Sequence, residues 1–170
     1  MARARRARWT AALSLIAFAG CAAEPADMRR GQVVRVVDGD TLKVRLAGRV
    51  ETVRLLGIDT PESKRPGAPV ECGSRRAGTA LRRLVDGRSV VLRADSSQDA
   101  EDRFGRVLAY VELGGDDVGE ALVASGWAKP YVYGGVPFAR VGAYRAAARS
   151  ARALGAGVYG ACGGDFHRGA

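Results

Sequence analysis

This sequence of 170 residues has one histidine, three cysteines and very little lysine. The histidine, His167, falls in a glycine-rich tail, 163–170, that reads as disordered. Histidine-based hydrolysis and a zinc site are therefore set aside. Lysine occurs only at Lys43, Lys64 and Lys129, so arginine carries the basic character. Arginine and alanine together fit a GC-rich genome, and arginine abundance alone argues for no function. There is no internal repeat and no low-complexity domain. The apolar run Trp9 to Ala19 is too short to span a bilayer.

That run belongs to a leader. Arg3, Arg5, Arg6 and Arg8 precede it, and Phe18-Ala19-Gly20-Cys21 follows. Residues 1–21 fit a secretory signal whose last four residues are similar to a bacterial lipobox, with Cys21 as the lipidated residue. Cleavage after Ala23 is the soluble alternative. Export is expected either way, to the outer face of the cell membrane through a lipid anchor or into the medium. Formal net charge is +9; without the four leader arginines it is +5, still basic, which makes polyanions the simplest partners. If Cys21 takes a lipid, Cys72 and Cys162 remain, and an exported pair tends to close into a disulfide. Two separate buried thiols are the other reading.

Residues 22–30 read as a flexible tether. Gln32–Val37, Thr41–Leu46 and Val50–Leu56 alternate as strands, with Leu42, Val44 and Leu46 on one face. Residues 60–72 form a loop marked by proline and glycine. Ser74–Val85 has helical spacing and is closed by Gly87. Ser89–Leu92 and Arg106–Leu113 are the fourth and fifth strands. Asp117 with Glu120 forms a capping box at the start of a short helix that Gly126 stops. Pro137 opens a last helix to Leu154, apolar at Phe138, Val141, Ala148 and Leu154, with Arg145, Arg149 and Arg152 opposite. This helix contains no acid. The pattern is α+β, and a small closed barrel is one solution that removes sheet edges.

Three segments carry the chemistry: Asp38-Gly39-Asp40-Thr41, Arg54 to Glu62, and Asp102-Arg103-Phe104-Gly105-Arg106. The first two sit at strand ends and supply carboxylates for a hard cation plus a spare carboxylate. The second and third each supply an arginine. A phosphodiester needs that mixture: a metal and guanidinium groups to hold charge, and a base to activate water. Each segment alone has a plainer reading. Asp-Gly is a hairpin turn, Asp-Thr-Pro is a turn, and Glu62 is a solvated loop acid. Arg54 could point outward on its strand, and Gly105 could simply turn the chain into the next one. Tyr131 and Tyr133 alternate, and either pack or offer faces for base stacking.

The combination resembles the staphylococcal nuclease (thermonuclease) family, from about Val33 to Tyr133 and more weakly to Cys162. The resemblance implies an OB-fold β-barrel of five strands with about three helices, spanning residues 31–162. It implies one calcium ion held by Asp40, Asp59 and the backbone carbonyl of Thr60. Glu62 would be the general base, and Arg54 and Arg106 would grip the scissile phosphate. Arg103 would touch a terminal phosphate, and Tyr131 and Tyr133 would line the nucleotide pocket. Phe104 stands where a tyrosine is common in the family, which removes one hydroxyl contact. The implied activity is calcium-dependent hydrolysis of DNA and RNA to 3′-phosphate and 5′-hydroxyl ends by a monomer. The rival expectation is a catalytically silent nucleic-acid-binding module on the same fold, anchored at the cell envelope.

Overall fold

The computed structural model describes residues 27–63 and 67–166. The leader and Cys21 lie outside the described residues, as does His167. Strand β1 (Met28–Val36) is followed by β2 (Thr41–Leu46), β3 (Arg49–Leu55) and the two-residue β4 (Ile58–Asp59). Helix α1 (Ser74–Val85) leads to β5 (Ser89–Arg93), β6 (Val107–Leu113) and β7 (Asp116–Asp117). Helix α2 (Val118–Ala124), β8 (Lys129–Pro130), α3 (Val141–Ala153) and the single turn α4 (Val158–Ala161) complete the chain.

Alternation explains the barrel. In β2, Leu42 and Val44 are fully buried and Leu46 nearly so, while Lys43 and Arg45 face out. β1 pairs antiparallel with β2 and β5, β2 with β3, and β5 with β6. A parallel pairing of β3 with β6, through Val53↔Val107 and Leu55↔Ala109, closes the circle. The result is the OB-fold barrel expected, with no open edge among its five long strands. Inside, Val33, Leu42, Val44, Val53 and Val111 meet Leu81 and Val85 of α1 and Leu122 and Val123 of α2. Each such leucine or valine contributes about 2 kcal/mol by leaving water.

Helices α1 and α2 form where the spacing predicts them. Asp117 caps α2 by accepting from the Glu120 N–H at 3.1 Å. The last helix starts later than expected and buries a different stripe. It begins at Val141, because Phe138 leaves the helical path to bury itself in the core. The Phe138 ring lies against Gly57 (φ +77), where a Cβ would sit 2.6 Å from it. Tyr144 and Ala151, not Leu154, form the buried stripe of α3; Leu154 is 81% exposed. The acids that this helix lacks come from elsewhere. Arg140 at its start pairs with Asp117 at 2.5 Å and with Glu112, and the Tyr144 hydroxyl donates to Asp117 Oδ1 at 2.9 Å.

Both terminal assignments move. β1 begins at Met28, inside the span 22–30 read as a tether, because Met28–Gln32 pair with Ser89–Arg93. At the other end Phe166, placed in the tail 163–170, is 1% exposed. Lys129 Nζ donates to the Gly164 carbonyl at 2.5 Å and lies 4.5 Å from the centre of the Phe166 ring. Cys72 and Cys162 are joined by a disulfide, with Cα atoms 5.9 Å apart. No helix among the described residues is long and apolar enough to cross a membrane.

Candidate active site

The turn between β1 and β2 is shaped by its own polar groups. Val37 N–H donates to the Thr41 carbonyl at 2.8 Å, and Asp38 Oδ1 accepts the Asp40 N–H at 3.1 Å. Gly39 allows a close crossing: a Cβ there would sit 2.6 Å from Thr60 Oγ1 and 2.9 Å from the Ala77 methyl. The segment after β3 can therefore reach Asp40. Thr60 Oγ1 donates to Asp40 Oδ2 at 2.8 Å, and Thr41 Oγ1 donates to Asp40 Oδ1 at 3.0 Å. Asp40 is 7% exposed and Thr60 6%.

Arg54 enters the site from β3, where it is paired with Thr41 in register. Its Nη1 lies 3.2 Å from Asp40 Oδ2 and its Nη2 3.6 Å from Asp59 Oδ1. Nη1 also donates to the Leu55 carbonyl at 3.0 Å. The guanidinium is thus inward and anion-partnered, as a largely buried arginine must be. Asp59 is aimed by the β4–β8 ladder, Ile58↔Pro130 and Asp59↔Lys129, a pairing that the sequence pattern did not reveal.

Glu62 and Arg106 arrive from two loops. Arg106 follows a turn organised by Asp102, whose Oδ1 accepts N–H groups of Phe104 at 2.9 Å and of Arg106 at 3.0 Å. Asp102 Oδ2 takes the Arg106 Nε–H at 2.6 Å. Burial pushes the Asp102 carboxyl up, but these Arg106 and Phe104 donors hold it below the usual carboxylate range. The orientation of the Arg106 guanidinium is fixed through Nε, and no other protein hydrogen bond engages it among the described residues.

Asp38, Asp40, Arg54, Asp59, Thr60, Glu62, Glu71 and Arg106 line one cavity of about 150 Å³, together with Pro61. All six residues proposed from sequence for metal and catalysis converge there. Burial, and then the neighbouring Asp40 charge, raises the Asp38 carboxyl above its ordinary value. Asp38 Oδ1 is taken up by the Asp40 N–H within the turn, which suits a turn residue better than a ligand. The three residues proposed for substrate contact lie outside this lining. Tyr131 is 47% and Tyr133 66% exposed; the Tyr131 N–H donates to the Gly57 carbonyl at 2.8 Å, next to β4. Arg103 stacks over the ring of Phe104, 4.7 Å from its centre, with Arg106 at 5.4 Å.

Glu71 was not singled out from the sequence. It is 6% exposed, and its Oε2 accepts the Glu62 N–H at 2.8 Å while its own N–H donates to the Glu62 carbonyl at 2.9 Å. A loop glutamate between Val70 and Cys72 gives no sequence signal of burial. Only the ladder it makes with Glu62 does.

The donor set fits a hard cation. Asp40 and Asp59 carboxylates and the Thr60 backbone are all oxygen donors, and among the described residues no histidine or cysteine lines the cavity. The set is sparse: among the described residues no three histidine, cysteine, aspartate or glutamate side chains form a ready-made metal cluster.

Comparison with known proteins identifies the family. The family model described as staphylococcal nuclease homologue matches residues 52–159, and the chain belongs to that family. Over 100 residues it is 44% identical to the SPbeta prophage-derived endonuclease YokF of Bacillus subtilis (strain 168), covering 58% of this chain and 33% of that protein. It is 37% identical to Thermonuclease of Staphylococcus hyicus over 102 residues, 60% of this chain and 59% of the relative. Endonuclease YncB of Bacillus subtilis (strain 168) is 41% identical over 100 residues, 58% and 47% of the two chains. The chain spans about half the length of these relatives. Asp40 lies before the span of the family match, and Thr60 and Arg54 tie it to that span.

Proposed function

We propose that the chain is a nuclease that hydrolyses phosphodiester bonds of DNA and RNA with calcium, leaving 3′-phosphate and 5′-hydroxyl ends. The observation that carries this reading is the convergence of Asp40, Asp59, Glu62, Arg54 and Arg106 on one small polar cavity. The relatives' names, thermonuclease and endonuclease, support it. Asp40, Asp59 and the Thr60 carbonyl would hold the calcium ion, which when bound would supply positive charge to a phosphate oxygen.

The chain's own residues account for the rest. Glu62 takes a proton from water as its oxygen attacks phosphorus; the bond to the 5′ oxygen breaks, and that oxygen takes up a proton from solvent to become the 5′-hydroxyl. Negative charge gathers on the phosphorus oxygens in the transition state, and the forks of Arg54 and Arg106 receive it. Asp102 and Glu71 orient Arg106 and Glu62. Contacts to phosphate rather than base edges would leave sequence and sugar unread. The site works in an exported protein, lipid-anchored if Cys21 is acylated. One gel assay on DNA and RNA tests the reading: cleavage with calcium and none in chelator is expected. Tight binding of nucleic acid without cleavage under any metal would instead mark a silent binding module.

A further inference from the structure

The outer face of the barrel carries a row of cations that the site does not use. Lys43 and Arg45 project outward from β2, between the buried Leu42, Val44 and Leu46. Arg35 on β1 stands opposite Lys43 in register and is also exposed. None of the three has an acidic partner among the described residues, and Glu51 on neighbouring β3 is held by Arg29 at 2.5 Å.

One ordinary explanation fails. Charges on a strand often guard a sheet edge against mispairing. Here β2 lies between β1 and β3, and β1 between β2 and β5, so neither is an edge. Like charges at directly opposed positions also weaken a sheet, so the Arg35↔Lys43 pair stands at a cost in stability.

Register gives the row a direction. Arg54 is paired with Thr41, Thr52 with Lys43, and Val50 with Arg45. The face that bears Arg54 at the cavity therefore continues through Lys43 to Arg45. Each two-residue step along a strand advances about 6.6 Å, near the spacing of phosphates in a stretched single strand. On β3 Thr52 and Val50 lie opposite Lys43 and Arg45, and on β1 Gln32 lies opposite Arg45; Val50 is 51% exposed, and none of these neighbours is an acid.

We propose that Arg35, Lys43 and Arg45 form a phosphate-binding track continuous with Arg54, which holds the nucleic-acid strand flanking the bond to be cut. The proposal rests on the nuclease reading and adds that the preferred substrate is a polymer several nucleotides long.

The test compares wild type with the triple variant Arg35→Gln, Lys43→Gln, Arg45→Gln. These side chains are exposed, and the thermal midpoint of the variant reports its fold. The probes are a single-stranded DNA of roughly 20 nucleotides, longer than one OB-fold footprint, and a DNA dinucleotide. For the long strand, KM should rise about tenfold or more at moderate salt, and the dependence of log affinity on log salt should fall by about 2, at about 0.7 per phosphate contact. Cleavage of the dinucleotide, too short to reach Lys43, should match wild type. Equal losses on both probes, or an unchanged salt slope, overturn the track. So does loss of binding to phosphatidylglycerol vesicles with oligonucleotide binding intact, which would assign the face to a membrane. The same slope measured by equilibrium binding in chelator decides the track even if the wild type cuts neither probe, an outcome that would sink the nuclease reading alone.

Discussion

Thr60 Oγ1 donates to Asp40 Oδ2 at 2.8 Å, joining two turns that lie 20 residues apart in sequence. The bond exists because Gly39 has no side chain where Thr60 crosses it. Gly39→Ala should push Thr60 away and misplace Asp40. A displacement of this kind can cost about 100-fold in rate. Steady-state cleavage of DNA, with circular dichroism to follow the fold, checks this. Wild-type turnover in a folded Gly39→Ala protein would contradict it.

Asp40→Ala and Asp59→Ala should each abolish calcium-dependent cleavage. Both variants also leave Arg54 with less neighbouring negative charge, so oligonucleotide binding in chelator should hold or strengthen. Calcium titration of cleavage is the measurement. Full activity of either variant, or of wild type in chelator, contradicts the assignment.

The Glu71 carboxylate supports the Glu62 backbone. Glu71→Gln keeps an acceptor for the Glu62 N–H, whereas Glu71→Ala leaves that donor without one. The alanine variant should lose about 10- to 100-fold in kcat with KM nearly unchanged, and the glutamine variant much less. Equal defects in the two would show that the charge, not the hydrogen bond, matters.

The Cys72–Cys162 bond closes a loop with a sequence separation of 90. The chain-entropy model gives about 4.6 kcal/mol for a loop of this length, as an upper figure. Denaturant unfolding with and without reductant measures it, and thiol labelling of the native protein should find no reactive Cys72 or Cys162. Two reactive thiols without reductant would contradict the crosslink.

Asp95 should govern part of the acid limb of stability. Burial pushes its carboxyl up, but the Tyr110 hydroxyl and N–H groups of Ala139 and Ser97 outweigh it and hold the value at about 2, against an ordinary 3.8. Because the folded value is the lower one, the stabilisation is present above pH 3.8 and is lost as pH falls toward about 2. A shift of this size is worth about 2 kcal/mol. Asp95→Asn should flatten the fall in unfolding free energy over that window. An unchanged slope would contradict the assignment.

Most of the barrel was legible because apolar alternation in β1, β2 and β3 and the capping box at Asp117 are local signals. Asp40, Arg54 and Asp59 were legible because strand ends carry them, and Glu62 and Arg106 through the short motifs they belong to. What escaped was tertiary in origin. The β4–β8 ladder is two residues long on each side and has no periodicity to show. Phe138 looked like a helical residue, but its burial against Gly57 overrides the helix start. Leu154 continued an apolar pattern, yet the chain turns away there and leaves it in solvent. Glu71 and Asp102 act by holding other residues, and a sequence shows residue types, not partners.

The central claim is that Arg54, Arg106 and Glu62 act on the transition state rather than merely dock the strand. Single-turnover cleavage measured beside equilibrium binding of a labelled oligonucleotide tests it most directly. Arg54→Lys and Arg106→Lys keep the charge but lose the fork, and should slow the chemical step on the order of 10²-fold or more with little loss of binding. Glu62→Gln should bind as wild type and lose turnover. Rate and binding that fall in equal proportion in the arginine variants, or a Glu62→Gln protein that cuts at the wild-type rate, would contradict the account.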